Sequence, residues 1–468
     1  MERLGIRQNF VAVFSSHLLG RIARFGYLVI LARWLSPASL GIYGYGVALY
    51  LAYLPFAQYG QFLLLASRMG ARRVAREHLL AHSLALRLLS TLLIGGLGAG
   101  YVVSTEVIDG DLIPLLMLVA TLVPRSLAHW AREAAVAGEH TRWVPRVEAG
   151  FRGSEMLLGT TCLLLGGDLN AICAVHLATW SIESIAVLCL VRDHLALASL
   201  RRLRRRYLIH LARRSLWPTL AGWLSYLPPQ IGIVILRALG VSAATLGQLT
   251  VATQFYTMLV IVPMALGQVS LPALSRTLRR TDPRPLWKFG VLLRLCVVGG
   301  GLLALAASGV APLALSVLLG PAYTTAGEVF AWLCWSSGPY AGTLLLAQIL
   351  HARQEWRRSC AASATMVAVQ VLVVVAVGPE APLPAVAFGA GAGASTAFLL
   401  NTVAARQPLG TWTERRLFAA FLLLVVTAAG AVFSPLSPAV TVPILVAVFG
   451  GLAVGSRIVS RRDLAYLA

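Results

Sequence analysis

Apolar residues in this chain run in blocks of about twenty, set apart by short polar breaks. Neither the two-residue alternation of strands nor the one-sided stripe of a soluble helix dominates. A helix needs about 20 apolar residues to cross roughly 30 Å of hydrocarbon. Windows of that length fall near 9–32, 41–66, 79–103, 112–136, 147–166, 169–191, 214–236, 244–271, 287–308, 327–350, 357–377, 383–403, 415–433 and 438–457. The pattern therefore predicts an all-α polytopic membrane protein with about 14 transmembrane helices. The first block is interrupted by His17, Arg21 and Arg24, with no small-residue cleavage site after it, and reads as a retained helix. The fifth is interrupted by Glu155.

The polar breaks alternate in charge. Those near 67–78, 137–152, 192–213, 272–286, 351–358 and 404–416 are rich in arginine, as are both ends of the chain. The intervening ones carry little: Glu106, Asp109 and Asp111 in one, and Asp168, Glu380, Arg33 and Arg237 in the others. Unbroken alternation is what the positive-inside rule gives for an even number of spans, with both termini cytoplasmic. The segment RDHLALASLRRLRRRYLIHLARR, from Arg192 to Arg214, reads as an amphipathic interfacial helix whose arginines meet anionic head groups.

Composition then removes the soluble classes. Hydrophobic residues make up 58% and charged residues 12% of the chain, against about 25% charged in an ordinary soluble domain. A net charge of +21 would suggest nucleic acid, but topology already accounts for the basic loops, so no nucleic-acid partner is expected. Of the 39 basic side chains, only Lys288 is a lysine. The six cysteines form no CxxC pair and read as small hydrophobes. No P-loop, metal-ligand spacing or nucleophile triad occurs, so the reading is a transporter without cofactor or metal, not an enzyme.

The chain also repeats itself at a spacing of about 207 residues. Leu40-Gly41 matches Leu246-Gly247, Ser67-Arg68 matches Ser275-Arg276, and Leu86-Arg87-Leu88 matches Leu293-Arg294-Leu295. Six spans separate the copies, so both halves enter the membrane in the same sense. The expected organisation is a six-helix lobe over 1–195, a basic linker over 196–213, a second six-helix lobe over 214–405 and an additional hairpin over 406–468. The two parallel lobes would flank a central cavity.

The stretch ILARWLSPASLGIYGYGVALYLAYLPFAQYGQ resembles the first-to-second-helix signature of the polysaccharide flippase branch of the multidrug/oligosaccharidyl-lipid/polysaccharide exporter superfamily. LGVSAATLGQLTVATQFYTMLVIVPMALGQVSLPALSR looks like its second-lobe counterpart. The resemblance spans roughly 5–405 and rests on packing and turn residues, not on chemistry. It implies a flippase for undecaprenyl-diphosphate-linked oligosaccharide in the bacterial inner membrane, serving O-antigen, capsule or exopolysaccharide synthesis. It also implies a monomer, with contacts to polymerase and chain-length machinery. Three alternatives stay open: a lipid II flippase, a drug or cation antiporter of the same superfamily, and, from another class, a glycan polymerase or ligase. The last would resemble an enzyme with a large charged outer loop, and the connection near 309–326 is short and mostly apolar.

Arginine within a span is expensive, at least about 2.5–3.5 kcal/mol at mid-bilayer, so it faces a cavity or a partner. Arg21 lies about 18 Å into the first span and Arg24 one turn further on the same face. Arg87 and Arg294 sit about 10–12 Å inside the cytoplasmic boundary at matching places in the repeat. Arg125, His129 and Arg132 share a face at i, i+4, i+7. Arg21, Arg24, Arg87, Arg294 and Arg125 are the candidates to hold a diphosphate through bidentate forks. Glu133, Glu155 and Glu183 are alternative partners for these arginines. Tyr50, Tyr53, Gln58, Gln61 and Gln254 are candidates for sugar contact, with Gln248 and Thr250 nearby. Glu155 and Glu183 could bind a coupling proton or Na⁺. Pro228-Pro229, Pro55 and Pro263 predict kinks.

Overall fold

The computed structural model describes residues 20, 22–60, 73–106, 111–137, 143–192, 203–264, 266–267, 270–271, 274, 284–405, 411–433 and 438–455. Regular structure among them is helical throughout, with no strand. Residues 22–34 form α1. Then come α2 (Pro37–Gln58), α3 (Arg73–Glu106), α4 (Leu112–Ala120), α5 (Leu122–Ala137), α6 (Val144–Leu164), α7 (Leu169–Val191), α8 (Arg205–Tyr226), α9 (Pro228–Ala238) and α10 (Ala243–Leu259). After these follow α11 (Arg284–Leu319), α12 (Thr324–Cys334), α13 (Ser337–Ala352), α14 (Trp356–Val377), α15 (Pro382–Ala404), α16 (Thr411–Phe433) and α17 (Pro438–Gly455).

Among the described residues seven helical stretches are long and apolar enough to cross a membrane, or eight if the bent pair α8–α9 is one span. The chain is thus a multi-pass membrane protein. The described parts of the remaining expected spans are helical too, and residues 9–19 of the first lie outside the described residues. The fifth starts at Val144, earlier than its hydropathy indicates, and draws Arg146, Glu148 and Arg152 out of the expected 137–152 connection into helix.

The helices divide into two compact units, Met1–Val234 with Ser242–Gly247, and Ile235–Val241 with Gln248–Ala468. The repeat is visible inside them. Each unit has one very long helix, 34 residues in α3 and 36 in α11, about 50 Å each. A helix in two pieces follows it, broken at Thr121 between α4 and α5 and at Trp335–Ser336 between α12 and α13. A helical pair closes the set, α6–α7 and α14–α15. The packing repeats too: α7 lies on α4, α5 and α6 as α15 lies on α12, α13 and α14, and α3 lies on α4 and α5 as α11 lies on α12 and α13. The additional pair α16–α17 packs on α11, burying Phe421, Leu424 and Phe449 with Val297 and Leu345. The repeat counts α8 as the first helix of the second copy, yet α8 packs on α2 and α3 in the first unit.

Local chemistry sets the ends. Ser36 and Asp168 accept from the N–H groups of Ser39 and Ala171 at 3.1 and 3.0 Å, capping α2 and α7. The Ala171 N–H holds the exposed Asp168 carboxyl below its ordinary pKa. Leu227, ahead of Pro228-Pro229, carries a 71° bend between α8 and α9. Pro55 lies in the last turn of α2, which ends on Tyr59 at φ 51°. The α10 helix stops at Leu259 and helix resumes over 261–264, which contain Pro263. Within the first unit, Gly41 and Gly247 meet backbone to backbone. A Cβ on Gly41 would strike Ala243 and one on Gly247 would strike Pro37. Both contacts pair the same repeat positions.

Candidate functional site

Three helices of the first unit each carry polar residues at i, i+4, i+7 on one face, the spacing that keeps side chains in line. They are Arg125, His129 and Arg132 on α5, Glu148, Arg152 and Glu155 on α6, and His176, Trp180 and Glu183 on α7. Because α7 packs on both α5 and α6, the three faces converge. Trp180 is wholly buried at their centre.

Four guanidinium groups surround that indole. The Cζ of Arg152 lies 3.9 Å from the ring centroid, that of Arg125 4.7 Å, Arg24 5.7 Å and Arg132 5.9 Å. Each contact of this kind is worth about 0.5–2 kcal/mol, too little to hold four like charges out of water. Carboxylates do the rest. Arg152 pairs with Glu155 and Glu183, and Arg132 pairs with Glu183, with Glu148 at 3.7 Å. Thus Glu155 and Glu183, the candidates for ion coupling, are both tied to arginine.

A hydrogen-bonded chain extends from the ion pairs to α2. Arg125 Nη1 donates to the Tyr50 hydroxyl at 2.5 Å. That hydroxyl lies 3.2 Å from His176 Nε2, and His176 Nδ1 lies 2.5 Å from a Glu155 oxygen. Having accepted from Arg125, Tyr50 has its own proton to give to Nε2. Nδ1–H then donates to Glu155, which assigns a neutral imidazole. Tyr43 meets the edge of the same imidazole at 6.1 Å, and His129 stacks on Trp180 at 6.2 Å.

The arginines therefore fall into two groups. Arg132 and Arg152 are bound to carboxylates. Arg24 and Arg125 have no carboxylate within ion-pair distance among the described residues, although both lie over Trp180. Arg125 is buried, and Arg24 is partly exposed on α1. Together they form the part of the cluster whose positive charge is least offset.

The other candidates lie elsewhere. Arg87 is fully buried and paired with Glu133. Arg294 is buried on α11 in the second unit. Of the sugar candidates, Tyr50 belongs to the cluster. Tyr53 packs on Leu54, Ala57 and Leu122. Gln58 is the partly exposed last residue of α2, and Gln254 is on α10 in the second unit. Gln248 has both amide ends engaged, donating to Ala322 O at 2.6 Å and accepting from Ala326 N–H at 3.0 Å. Arg21, His17 and Gln61 lie outside the described residues. No group of three or more metal-ligating side chains occurs among the described residues.

Arg152, Glu148, His176 and Trp180 were not anticipated as site residues. Arg152 and Glu148 fell within the stretch read as a cytoplasmic connection, and His176 and Trp180 looked like ordinary occupants of an apolar span. The signal that finds them is the repeated i, i+4, i+7 spacing in consecutive helices.

No family model matches the sequence, and no curated protein matches it. Solved structures do match the fold. An inward-facing multidrug resistance MATE family transporter of the MOP superfamily superposes with a TM-score of 0.64 at 14% identity, covering 87% of this chain and 98% of its own. Lipid II flippase MurJ in an inward closed conformation gives 0.65 at 11%, covering 94% and 98%. A MOP superfamily transporter from Pyrococcus furiosus, described as having a binding pocket of reverse polarity, gives 0.63 at 13%, covering 89% and 96%. The chain has the fold of these transporters.

Proposed function

We propose that this chain is a flippase of the polysaccharide exporter kind. It would carry an undecaprenyl-diphosphate-linked oligosaccharide from the inner to the outer leaflet of a bacterial cytoplasmic membrane, for surface polysaccharide synthesis. In this reading fourteen spans place both termini in the cytoplasm. The observation that carries the proposal is the pair Arg24 and Arg125, two arginines beside one indole with no carboxylate of their own. A diphosphate cannot enter hydrocarbon bare, and guanidinium forks bind its oxygens in bidentate fashion. The neighbouring ion pairs hold Arg132 and Arg152 in place without adding to the attraction, so Arg24 and Arg125 set the anion's position. Tyr50, whose hydroxyl accepts from Arg125, holds that guanidinium beside the indole.

The fold also occurs in a lipid II flippase and in multidrug transporters. A cationic drug would be repelled by Arg24 and Arg125, which disfavours a drug antiporter. A lipid II flippase would use the same diphosphate chemistry and remains the second reading. The test is a strain lacking the gene. Undecaprenyl-linked repeat units should accumulate on the cytoplasmic side, and an Arg24→Gln/Arg125→Gln variant, present in the membrane at normal level, should fail to relieve this. Accumulation of lipid II instead would favour the second reading. Normal export from the double variant would refute the arginine seat.

A further inference from the structure

The start of α8 is a second basic feature, separate from the Trp180 cluster. Arg204, Arg205, Arg206, Arg213 and Arg214 are all exposed. None has a carboxylate within ion-pair distance among the described residues, and no Asp or Glu occurs in the sequence between Asp193 and Asp282. The contrast is the short connection between α13 and α14, where Glu355 pairs with both Arg353 and Arg358 at 2.8 and 2.9 Å. Charge on α8 that no carboxylate of the described residues offsets is available to something outside the chain.

The helix shows what that is by how its exposed face is ordered. Arg206, His210, Arg213 and Trp217 form one stripe at i, i+4, i+7, i+11, flanked by Ile209 and Leu216, and all six are exposed. Leu211, Ser215 and Thr219 on the opposite side are buried. Arg205, Arg206, Arg213 and Arg214 lie in the first ten residues, and Leu216 and Trp217 come just after them. A helix entering a bilayer meets phosphates first and then the interface where tryptophan settles. The face is also held firmly. The Arg204 N–H donates to His82 Nε2 at 3.0 Å, Tyr207 meets the His82 ring at 4.6 Å, and the backbone at Gly60 leaves no room for a Cβ against Ser215 and Thr219.

We propose that this face of α8 is a binding site for anionic phospholipid head groups of the leaflet that the helix enters. An acidic protein would match the charge, but it would offer no apolar surface to the exposed Ile209 and Leu216. Lipid supplies phosphate and acyl chain in the same order as the side chains. The proposal is independent of what the chain transports.

The test uses the purified full-length protein in mixed micelles with equimolar dioleoyl phosphatidylglycerol and dioleoyl phosphatidylcholine. Retained lipids are counted by native mass spectrometry. The wild type should retain phosphatidylglycerol in preference by about tenfold, the scale that one or two arginines give at an anionic surface. Arg205→Gln/Arg206→Gln/Arg213→Gln/Arg214→Gln should bring the ratio close to one while its thermal unfolding in neutral lipid stays unchanged. Millimolar inorganic phosphate should not displace the lipid. A wild type without preference, a quadruple variant that keeps it, or displacement by phosphate alone would each overturn the proposal. Single Arg→Gln changes, with a graded loss, cover the case in which the quadruple variant fails to fold.

Discussion

Residue by residue, the buried charges of the first unit are not equivalent, and their removal should separate them. Glu183 offsets both Arg132 and Arg152. Glu183→Gln leaves two buried guanidinium groups short of a partner, a change that costs about 3–5 kcal/mol for a broken buried pair. Thermal unfolding in detergent should fall sharply. Arg24→Ala removes a partly exposed cation with no carboxylate partner among the described residues, so its midpoint should hardly move. Equal effects would contradict the division between bound and available arginines. Tyr50→Phe should lie between, because it deletes the acceptor of Arg125 and the donor to His176 at about 1–3 kcal/mol for the groups left unsatisfied. Much of this was legible in the sequence. Arg24 and Arg125 stand out because arginine is rare in a span, and Glu155 and Glu183 were named as possible neutralising partners. Arg152 was missed because hydropathy cannot tell a loop arginine from a helical one paired with two carboxylates. Arg87 and Arg294 match in sequence, but the pair with Glu133 belongs to Arg87.

The helices themselves were readable wherever composition is extreme. Apolar blocks gave α7, α14 and α15 nearly to the residue, and α2, α3 and α11 with larger errors, since α2 stops at Gln58 and not at 66 and α11 runs on to Leu319 past 308. Hydropathy could not show that the fourth and tenth blocks are each helical in two pieces, because a break at Thr121 or Trp335 leaves the apolar run intact. It did flag Pro228-Pro229, where the 71° bend lies. The Leu40-Gly41 and Leu246-Gly247 match acquires a physical reason, since both glycines admit the backbone of the other helix. Gly41→Leu and Gly247→Leu should therefore be about equally damaging, each forcing backbone apart at a cost of several kcal/mol or misfolding. Yield and unfolding midpoint of the two variants check this, with Gly222→Leu, which has open space, as the tolerated control. At the N-terminus of α7, Asp168→Ala should cost about 1 kcal/mol, the worth of a helix cap. The carboxyl's pKa is depressed in the folded state. The cap's contribution is thus present at neutral pH and fades as pH falls through that lowered value, which stability measured against pH in wild type and variant would show.

For the whole molecule, the repeat is the most informative feature, because two units with the same succession of long helix, broken helix and helical pair are what an internal duplication leaves. In the proposed reading, charge then sorts into loop arginines that orient the helices, an exposed α8 face turned to lipid, and a cluster around Trp180 that is neutralised except at Arg24 and Arg125. The account's central claim is that those two arginines seat a lipid diphosphate. The direct measurement is transbilayer movement in liposomes containing the purified protein, using matched polyprenyl oligosaccharides joined through a diphosphate or a single phosphate. The account predicts rapid movement of the diphosphate form, a markedly slower monophosphate form, and loss of the difference in Arg24→Gln/Arg125→Gln. Equal movement of both lipids by the wild type, or an unchanged preference in the double variant, would contradict it.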